Sequence, residues 1–294
     1  MMTIGRRRFS PGLIGIYTLL TLFALACLLP MVMTLIVSFS DEDSITNKGY
    51  SLFPDAWSLD GYRAIFANSE IIFKGYGISL FITVVGTVLA LLVTAIGAYT
   101  LANPQVKYRN HLALYFFITT LFNAGIVPWY LMAKKLGLLD NILALIIPSL
   151  LFSAFNMFLI RNFMESLPDA LRESAYIDGA NDLTIAFRIY MPLSLPALAT
   201  VALFYAISYW NDWWNAIMLL DNKNLYPLQY ILFQLRSNIQ MLEMLPKGAT
   251  GEYTMPAESV KMATVIITIG PIALLYPYLQ RYFVKGLVVG SVKG

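Results

Sequence analysis

The chain has 294 residues, of which 58% are hydrophobic and only 13% are charged, and its formal net charge is +3. A soluble domain carries about 25% charged residues. Half that share leaves too little polar surface to cover a globule in water, so much of the apolar surface must face lipid. The Lys and Arg residues are scattered without a dense basic patch, and the sequence therefore shows no nucleic-acid-binding footprint.

Cysteine and histidine are almost absent. The one cysteine, Cys27, cannot form an intrachain disulfide, and the one histidine, His111, is too little for a His-rich metal site or for most His-based catalysis. The sequence also lacks a Gly-x-x-x-x-Gly-Lys-Ser/Thr loop that would bind ATP phosphates. We therefore expect no catalytic residue, metal or cofactor in this chain.

The first apolar segment follows Arg6-Arg7-Arg8. Residues 9–40 contain no charged side chain, which is too long for a cleaved signal peptide and predicts a retained signal-anchor helix. Five more charge-free segments are long enough to cross a membrane, if His111 counts as neutral, and they cover 75–106, 110–133, 141–160, 189–211 and 262–280. The predicted helix cores are 13–37, 77–102, 112–133, 141–160, 194–217 and 260–280.

The six apolar segments define the predicted fold class. A membrane β-barrel would show alternating hydrophobicity over roughly 10 residues, and these segments are continuously apolar. The sequence therefore predicts an all-α membrane protein with about six transmembrane helices in a single domain, 1–294. The basic ends favour cytoplasmic termini. We expect a multi-pass protein of the cell inner (plasma) membrane. Residues 38–74 and 218–259 are then long outer loops, and 161–193 is cytoplasmic.

The cytoplasmic segment 161–193 begins with a helix signature. Ser166 and Asp169 have the spacing of a capping box, and Pro168 suits the first turn of a helix. These residues predict a helix from about 167 to 178. Gly179 is well placed to end that helix in a left-handed conformation.

A second short helix is predicted after the glycine turn. Asn181 or Asp182 can cap its start, and the helix should end before Pro192. The resulting helix, turn and helix are too polar to enter lipid and too short to form a domain. Such a segment needs a partner surface.

The order of residues in this segment resembles a known motif. The permease subunits of binding-protein-dependent ABC importers share the motif Glu-Ala-Ala, three residues, Gly, nine residues, Ile, one residue, Leu-Pro. This chain matches the spacing with Glu173-Ser174-Ala175, Gly179, Ile189 and Met191-Pro192. Ser174 and Met191 depart from the motif but are close in size to the residues they replace. The chain is therefore similar to this family, which implies the type I importer permease fold with a cytoplasmic coupling helix.

The resemblance also implies how the segment works. In that family the short helix sits in a cleft of a cytoplasmic ATPase subunit and transmits its closure to the spans. The charges of Arg172, Glu173 and Asp178 would line the rim of the contact, and small residues would let the helix seat deeply. The residues with an implied ATPase-coupling role are Arg172, Glu173, Ser174, Ala175, Asp178, Gly179, Ile189 and Pro192.

The implied partners follow from the same family. They are a second homologous permease subunit, an ATPase dimer that binds ATP and Mg, an extracytoplasmic solute-binding protein, and membrane lipid. The chain itself is then a transport subunit and not an enzyme.

Several further segments resemble the carbohydrate-importing branch of the family. They cover residues 210–215, 226–229, 282–286 and 292–294. Within that branch the chain resembles the second permease of the maltose importer and, more closely, permeases for larger saccharides such as alginate. The resemblance implies an oligo- or polysaccharide as cargo. A permease for a peptide or an amino acid remains the alternative, and only these segments argue against it.

A tryptophan-rich cluster at 210–215 has two interpretations. It can be an aromatic belt at the membrane interface, or it can line the substrate path, because aromatic faces stack on sugar rings. Both interpretations stay open. The cluster consists of Trp210, Asn211, Asp212, Trp213, Trp214 and Asn215.

Two other classes of membrane protein fit less well. A secondary transporter driven by an ion gradient would place charged groups inside its spans, and the six predicted cores are essentially free of charge. A membrane enzyme would need a catalytic set, which so little His and Cys cannot supply.

Overall fold

The computed structural model describes residues 11–67, 69–148, 150–243 and 257–271. In these ranges the chain is helical or irregular, and the β-structure is one isolated bridge between Ser40 and Trp57. The all-α fold class is confirmed. Two of the described helices, 12–38 and 69–102, are long and apolar enough to cross a membrane, and two bent helix pairs can each form one more span.

The helices belong to two compact units. The first contains α1 (Pro11–Ser38), α2 (Glu42–Lys48), α3 (Asp60–Phe66) and most of α14 (257–271). The second contains α4 (Ser69–Ala102), α5 (Arg109–Leu121), α6 (Ile126–Lys135), α7 (Ala154–Glu165), α8 (Ala170–Ile177), α9 (Asp182–Ile185), α10 (Met191–Leu193), α11 (Leu195–Trp210) and α12 (Trp214–Leu219). Helix α13 (Leu228–Glu243) has residues in both. The single-domain assignment stays a prediction.

In the first unit, the predicted outer loop 38–74 holds the start of α14. The carboxylate of Glu42 accepts the backbone N–H of Glu258 at 2.9 Å and that of Ser259 at 3.1 Å. The first N–H groups of a helix have no partner within the helix, so a carboxylate there both caps it and offsets its dipole. Hydrogen bonds from Lys261 and Tyr50 lower the pKa of Glu258 and so favour its ionised form.

In the second unit, α4 packs against α7 and α11. The interface is built from small and apolar side chains that are almost fully buried, including Ala90 and Ala98 on α4, Met157 and Ile160 on α7, and Val201 on α11. Small residues let helix backbones approach closely. Close packing of this kind holds helices together in a membrane, because burying apolar side chains away from lipid gains no hydrophobic free energy. Helix α4 is therefore central to this unit.

Gly86 marks a close approach between α4 and α11. A Cβ at this position would lie 2.6 Å from the ring of Tyr209. The ring has little freedom to move away, because Tyr209 is fully buried and its hydroxyl donates to the carbonyl of Ile146 at 2.9 Å.

We expect Gly86→Ala to destabilise the protein. Alanine gains about 1 kcal/mol of helix propensity over glycine. Overpacking a tight core typically costs about 1–3 kcal/mol, and this larger effect should win at position 86. The matched control is Gly77→Ala on the same helix, where a Cβ has no neighbour within 4 Å. Thermal unfolding in detergent should show a lower midpoint for Gly86→Ala alone, and equal midpoints for the two variants would refute the packing explanation.

Three of the predicted spans are broken. The predicted core 112–133 consists of α5 and α6, which are bent by 117°. Gly125 has φ +86°, and its N–H donates to the side chain of Asn123 at 2.8 Å, so the backbone leaves the helical conformation there. The left-handed region favours glycine, which explains why the break falls at this residue.

The predicted core 141–160 is wrong as a continuous helix. A 3₁₀ turn covers Ile142–Leu145, an irregular stretch follows, and α7 starts only after Ser153, whose hydroxyl accepts the N–H of Asn156 at 3.4 Å. The predicted core 194–217 is also interrupted, because α11 ends at Trp210 and α12 begins at Trp214.

The described residues therefore hold two to four spans by length and composition, against six predicted. The last predicted core, 260–280, is described only as far as residue 271. The basic N-terminus and the segments 282–286 and 292–294 lie outside the described residues.

Candidate functional site

The predicted cytoplasmic segment, 161–193, forms a helix and a glycine turn at the expected place. Helix α8 covers Ala170–Ile177, and Gly179 follows with φ +79°. The predicted left-handed turn is therefore present. The capping box is wrong: the hydroxyl of Ser166 donates to the carbonyl of Phe163 at 2.7 Å, and no side chain caps the start of α8. The helix is shorter at its start than 167–178 for this reason.

The second helix begins as predicted and ends later. The side chain of Asn181 accepts the N–H of Thr184 at 2.8 Å and caps α9. The chain continues through a π-helical stretch, Ala186–Tyr190, and through Pro192 to Leu193. Pro192 has no N–H to donate within a regular α-helix. The helix widens to a π turn just before it, in which the N–H of Met191 donates to the carbonyl of Ala186, five residues earlier.

Helix α8 has two faces. Ala175 is 6% exposed and packs in the core cluster of the second unit, which also contains Ile185 and Tyr190. Glu173 and Asp178 are exposed, and so is Ile177 at 86%. The face that includes Ala175 thus anchors the helix to the second unit, while the opposite face exposes two carboxylates and an apolar side chain.

Arg172 lies on the inner face, which corrects its predicted place on the rim. The residue is 6% exposed, and its guanidinium donates to Asp169 at 2.6 Å. The face of a short helix depends on where the rest of the chain packs, and the motif spacing alone does not reveal it. The other two residues predicted for the rim, Glu173 and Asp178, are exposed, and their contact with an ATPase stays a prediction.

The remaining motif residues surround this core. Ser174 and Gly179 are exposed, Ile189 is half-buried against the core cluster, and Pro192 is exposed on α10.

A polar junction that the sequence did not predict joins this segment to α4. One carboxylate oxygen of Asp182 accepts hydrogen bonds from the hydroxyl of Tyr176 at 2.6 Å, the amide of Asn103 at 3.2 Å and the hydroxyl of Tyr99 at 3.3 Å. The pKa of Tyr176 is raised because its hydroxyl donates to this carboxylate. Tyr99 belongs to α4 and Asn103 directly follows it. Asp182 therefore ties α8 and the start of α9 to the end of the central helix.

The tryptophan-rich cluster is not uniform. Trp210 and Asn215 are buried, with 4% and 2% exposure, while Trp214 is 44% exposed. Trp213 stacks on Phe233 with ring centroids 4.5 Å apart. Trp210, Trp213 and Asn215 thus pack inside the unit, and both interpretations of the cluster stay predictions.

Asp212 and Asn215 stabilise the break between α11 and α12. The amide of Asn215 donates to Asp212 at 2.9 Å and to the carbonyl of Pro148 at 3.3 Å. Asn211 accepts a hydrogen bond from Gln229 at 3.3 Å. These polar side chains replace helix hydrogen bonds where the backbone is irregular, and their role in the substrate path stays a prediction.

A comparison with known families decides the class of protein. The family described as "Binding-protein-dependent transport system inner membrane component" matches residues 88–289, which include the whole segment 161–193. The chain belongs to this family. Membership agrees with the apolar helices and with the turn at Gly179.

Relatives of this chain are named as permease proteins of saccharide transport systems. The chain is 39% identical over 286 residues to the polygalacturonan/rhamnogalacturonan transport system permease protein YtcP of Bacillus subtilis (strain 168), covering 95% of this chain and 97% of the relative. It is 28% identical to the arabinooligosaccharides transport system permease protein AraQ of Halalkalibacterium halodurans, covering 98% and 100%.

A solved structure has the same fold. It is the crystal structure of a bacterial ABC transporter involved in the import of the acidic polysaccharide alginate, and it matches with a TM-score of 0.80 and 33% identity. The match covers 96% of this chain and 100% of that one.

Proposed function

We propose that this chain is the permease subunit of an ATP-driven importer for oligo- or polysaccharides, and that α8 and its glycine turn couple it to a separate ATPase. The observation that carries the proposal is the outer face of α8, where exposed Ile177 lies between the carboxylates of Glu173 and Asp178. An apolar side chain that is 86% exposed in water gains free energy when a partner covers it.

A displacement of α8 can reach the membrane helices through the hydrogen bonds that join it to α4. The ATPase dimer binds ATP and Mg, and its closure would push α8 through the rim residues Glu173 and Asp178. The turn at Gly179 and the carboxylate of Asp182 pass that displacement to the end of α4. Because α4 packs on both α7 and α11, a shift at its end acts on all three helices.

The cargo is inferred from the relatives. YtcP and AraQ are named for polygalacturonan, rhamnogalacturonan and arabinooligosaccharides, and the solved structure for alginate. These names support a saccharide, with alginate as one candidate, over a peptide or an amino acid. Uptake of galacturonate, alginate and arabinose oligosaccharides by the reconstituted importer would identify the cargo.

The outer surface would receive a solute-binding protein. Exposed aromatic residues on the loop 38–74, namely Tyr50, Phe53 and Trp57, offer side chains of the type favoured at interfaces. The outer loop 218–259 is the first candidate for this docking and the loop 38–74 is the second, because both are too long for simple connections between helices. Residues 244–256 of the first candidate lie outside the described residues. A second permease would complete the complex in the inner membrane, with both termini cytoplasmic.

Ile177→Glu should weaken binding of the ATPase. The substitution adds a third negative charge between Glu173 and Asp178 and removes the apolar contact, while the exposed position leaves the fold unchanged. We expect at least about a tenfold loss of affinity, which corresponds to about 1.4 kcal/mol.

The measurement is co-purification of the ATPase with the tagged permease complex. Leu136→Glu is the control, because Leu136 is also exposed, at 63%, but lies just after α6 and outside the coupling segment. Full retention of the ATPase by Ile177→Glu would refute docking through this face.

A further inference from the structure

The two predicted outer loops meet at the first turn of α14 in the first unit. Glu42, on α2 of the loop 38–74, accepts the backbone N–H of Glu258 at 2.9 Å and that of Ser259 at 3.1 Å. Glu258 and Ser259 are the last residues of the other loop, 218–259, directly before the last predicted span. One carboxylate therefore joins both candidate docking loops to the start of that span.

Two more residues of the first loop reach the same turn. The hydroxyl of Tyr50 donates to the carboxylate of Glu258 at 2.5 Å. Gly61, on α3, is buried against the backbone of Ser259, because a Cβ at Gly61 would lie 2.9 Å from the carbonyl carbon of Ser259. Together with Glu42, these contacts hold the loop on α14 at three positions, and three positions fix an orientation that one contact would leave free.

The same loop is also held on the end of α1. The hydroxyls of Tyr62, on α3, and Ser38 share a hydrogen bond of 2.9 Å, and the ring of Tyr62 packs on Phe39 with ring centroids 4.9 Å apart. Helix α1 ends at Ser38 and is long and apolar enough to cross a membrane. Helix α3 therefore links the end of the first predicted span to the start of the last one.

Charge strengthens the contact that Glu42 makes. A hydrogen bond to an ionised acceptor is roughly twice as strong as one between neutral groups. The first N–H groups of α14 also have no partner within the helix, and the positive end of the helix dipole attracts a carboxylate. Separating the loop from α14 would break these hydrogen bonds together, so we expect the loop and the first turn of α14 to move together.

We propose that Glu42 is a positioning residue that transmits docking of the solute-binding protein to the last span. Its carboxylate makes the two candidate docking loops one surface that is fixed to α14, so a displacement of either loop acts on that helix. The proposal rests on the proposed function, because the binding protein is the partner inferred there. It adds which residue connects that partner to a membrane helix.

Coupling of this kind has a thermodynamic signature. A ligand shifts a conformational equilibrium only by binding one state more tightly than the other, and the coupling is reciprocal. If docking favours the state in which the ATPase is closed on ATP, the binding protein must bind that state more tightly. Loss of Glu42 should reduce the difference between the two affinities, whereas damage to the docking surface alone would weaken both affinities equally.

The test compares Glu42→Ala, Glu42→Gln and Asp43→Ala in the complete importer in lipid nanodiscs. The affinity of the saccharide-loaded binding protein is measured without nucleotide and with ATP and vanadate, and its stimulation of ATP hydrolysis is measured in parallel. Asp43 is the matched control, because it is an exposed carboxylate next to Glu42 on α2. No hydrogen bond or ion pair of its carboxylate is found in the described residues.

We expect Glu42→Ala to reduce the ratio of the two affinities about tenfold, which corresponds to about 1.4 kcal/mol of coupling. Stimulation should fall with this ratio, while basal hydrolysis and the affinity without nucleotide stay unchanged. Glu42→Gln keeps one acceptor oxygen without the charge and should give an intermediate ratio. Asp43→Ala should behave like the unaltered chain.

Tyr50→Phe provides a second variant that does not depend on core packing. It removes the hydrogen bond to Glu258 from a side chain that is 53% exposed, and it should also lower the ratio of the two affinities. If Glu42→Ala lowers the yield of the complex, Glu42→Gln and Tyr50→Phe decide the question, and an unchanged ratio in both refutes the proposal.

Two further results would overturn the proposal. An equal loss of affinity in both states of Glu42→Ala would mean that this residue only shapes the docking surface. Unchanged affinities and stimulation in Glu42→Ala would mean that docking does not act through this contact. Failure of the proposed function gives a different result, because a binding protein that neither binds nor stimulates the importer with the unaltered chain refutes the inferred partner itself.

Discussion

Gly179→Val should abolish most saccharide uptake while the importer still assembles. At φ +79° a β-branched residue is strained, by about 1–2 kcal/mol, and the turn will shift to relieve that strain. A Cβ at Gly179 has no neighbour within 4 Å, and the position is exposed, so backbone strain is the main effect of the variant and the fold should survive. A displaced turn changes how α8 meets the ATPase. We expect uptake to fall at least about tenfold, since 1.4 kcal/mol of lost coupling is enough for that.

Gly137→Val is the matched control. Gly137 has φ +69° and also no neighbour within 4 Å of its Cβ position, so the substitution imposes a similar strain outside the coupling segment. Uptake, ATPase activity and complex yield should be measured for both variants in proteoliposomes. Equal uptake in the two would mean that the turn at Gly179 has no special role in transport.

Asp182→Ala should leave ATP hydrolysis running while uptake falls. The substitution removes the acceptor shared by Tyr176, Asn103 and Tyr99, and hydrogen bonds to a charged group each contribute about 1.5–3 kcal/mol. Helix α8 would still dock on the ATPase through its exposed face, but its link to α4 would be lost. We expect the number of saccharide molecules imported per ATP hydrolysed to fall by about tenfold.

Tyr176→Phe tests the same junction with a smaller change. It removes the shortest of the three hydrogen bonds and should give an intermediate ratio. Tyr108→Phe is its control, because Tyr108 is an exposed tyrosine directly before α5, and no hydrogen bond of its hydroxyl is found in the described residues. A normal import-to-hydrolysis ratio in Asp182→Ala would show that the displacement of α8 reaches the membrane by another route.

Local sequence signals predicted the parts of the coupling segment that depend on adjacent residues. Gly179 ends a helix because only glycine adopts the left-handed conformation freely, and Asn181 caps the next helix through its own side chain. Both effects act within a few residues and can be read from the chain. The capping box at Ser166 failed because that hydroxyl found the carbonyl of Phe163 on the preceding helix instead.

Long-range contacts explain what the sequence did not predict. Hydropathy identified the apolar segments, but it is insensitive to the irregular stretch before α7. That stretch is held by Tyr205, Tyr209 and Asn215, which are 52 to 67 residues away along the chain. Asp182 likewise meets Tyr99 and Asn103 from 83 and 79 residues away. The periodicity of apolar residues along the sequence does not predict hydrogen bonds between residues so far apart.

The inner position of Arg172 has the same origin. It depends on which face of α8 the rest of the permease covers, and the motif fixes the spacing of residues but not that face.

Cross-linking from α8 tests most directly whether this segment meets the ATPase. In a Cys27→Ser background, Ser174→Cys places a thiol on the exposed side of α8, and a benzophenone maleimide attached there reacts on illumination with whatever protein lies nearby. The matched position is Thr46→Cys on α2, which is exposed in the predicted outer loop. We predict that residue 174 cross-links to the ATPase and that residue 46 does not. An importer that remains active in uptake, yet gives no cross-link between residue 174 and its ATPase, would contradict the assignment of α8 as the coupling helix.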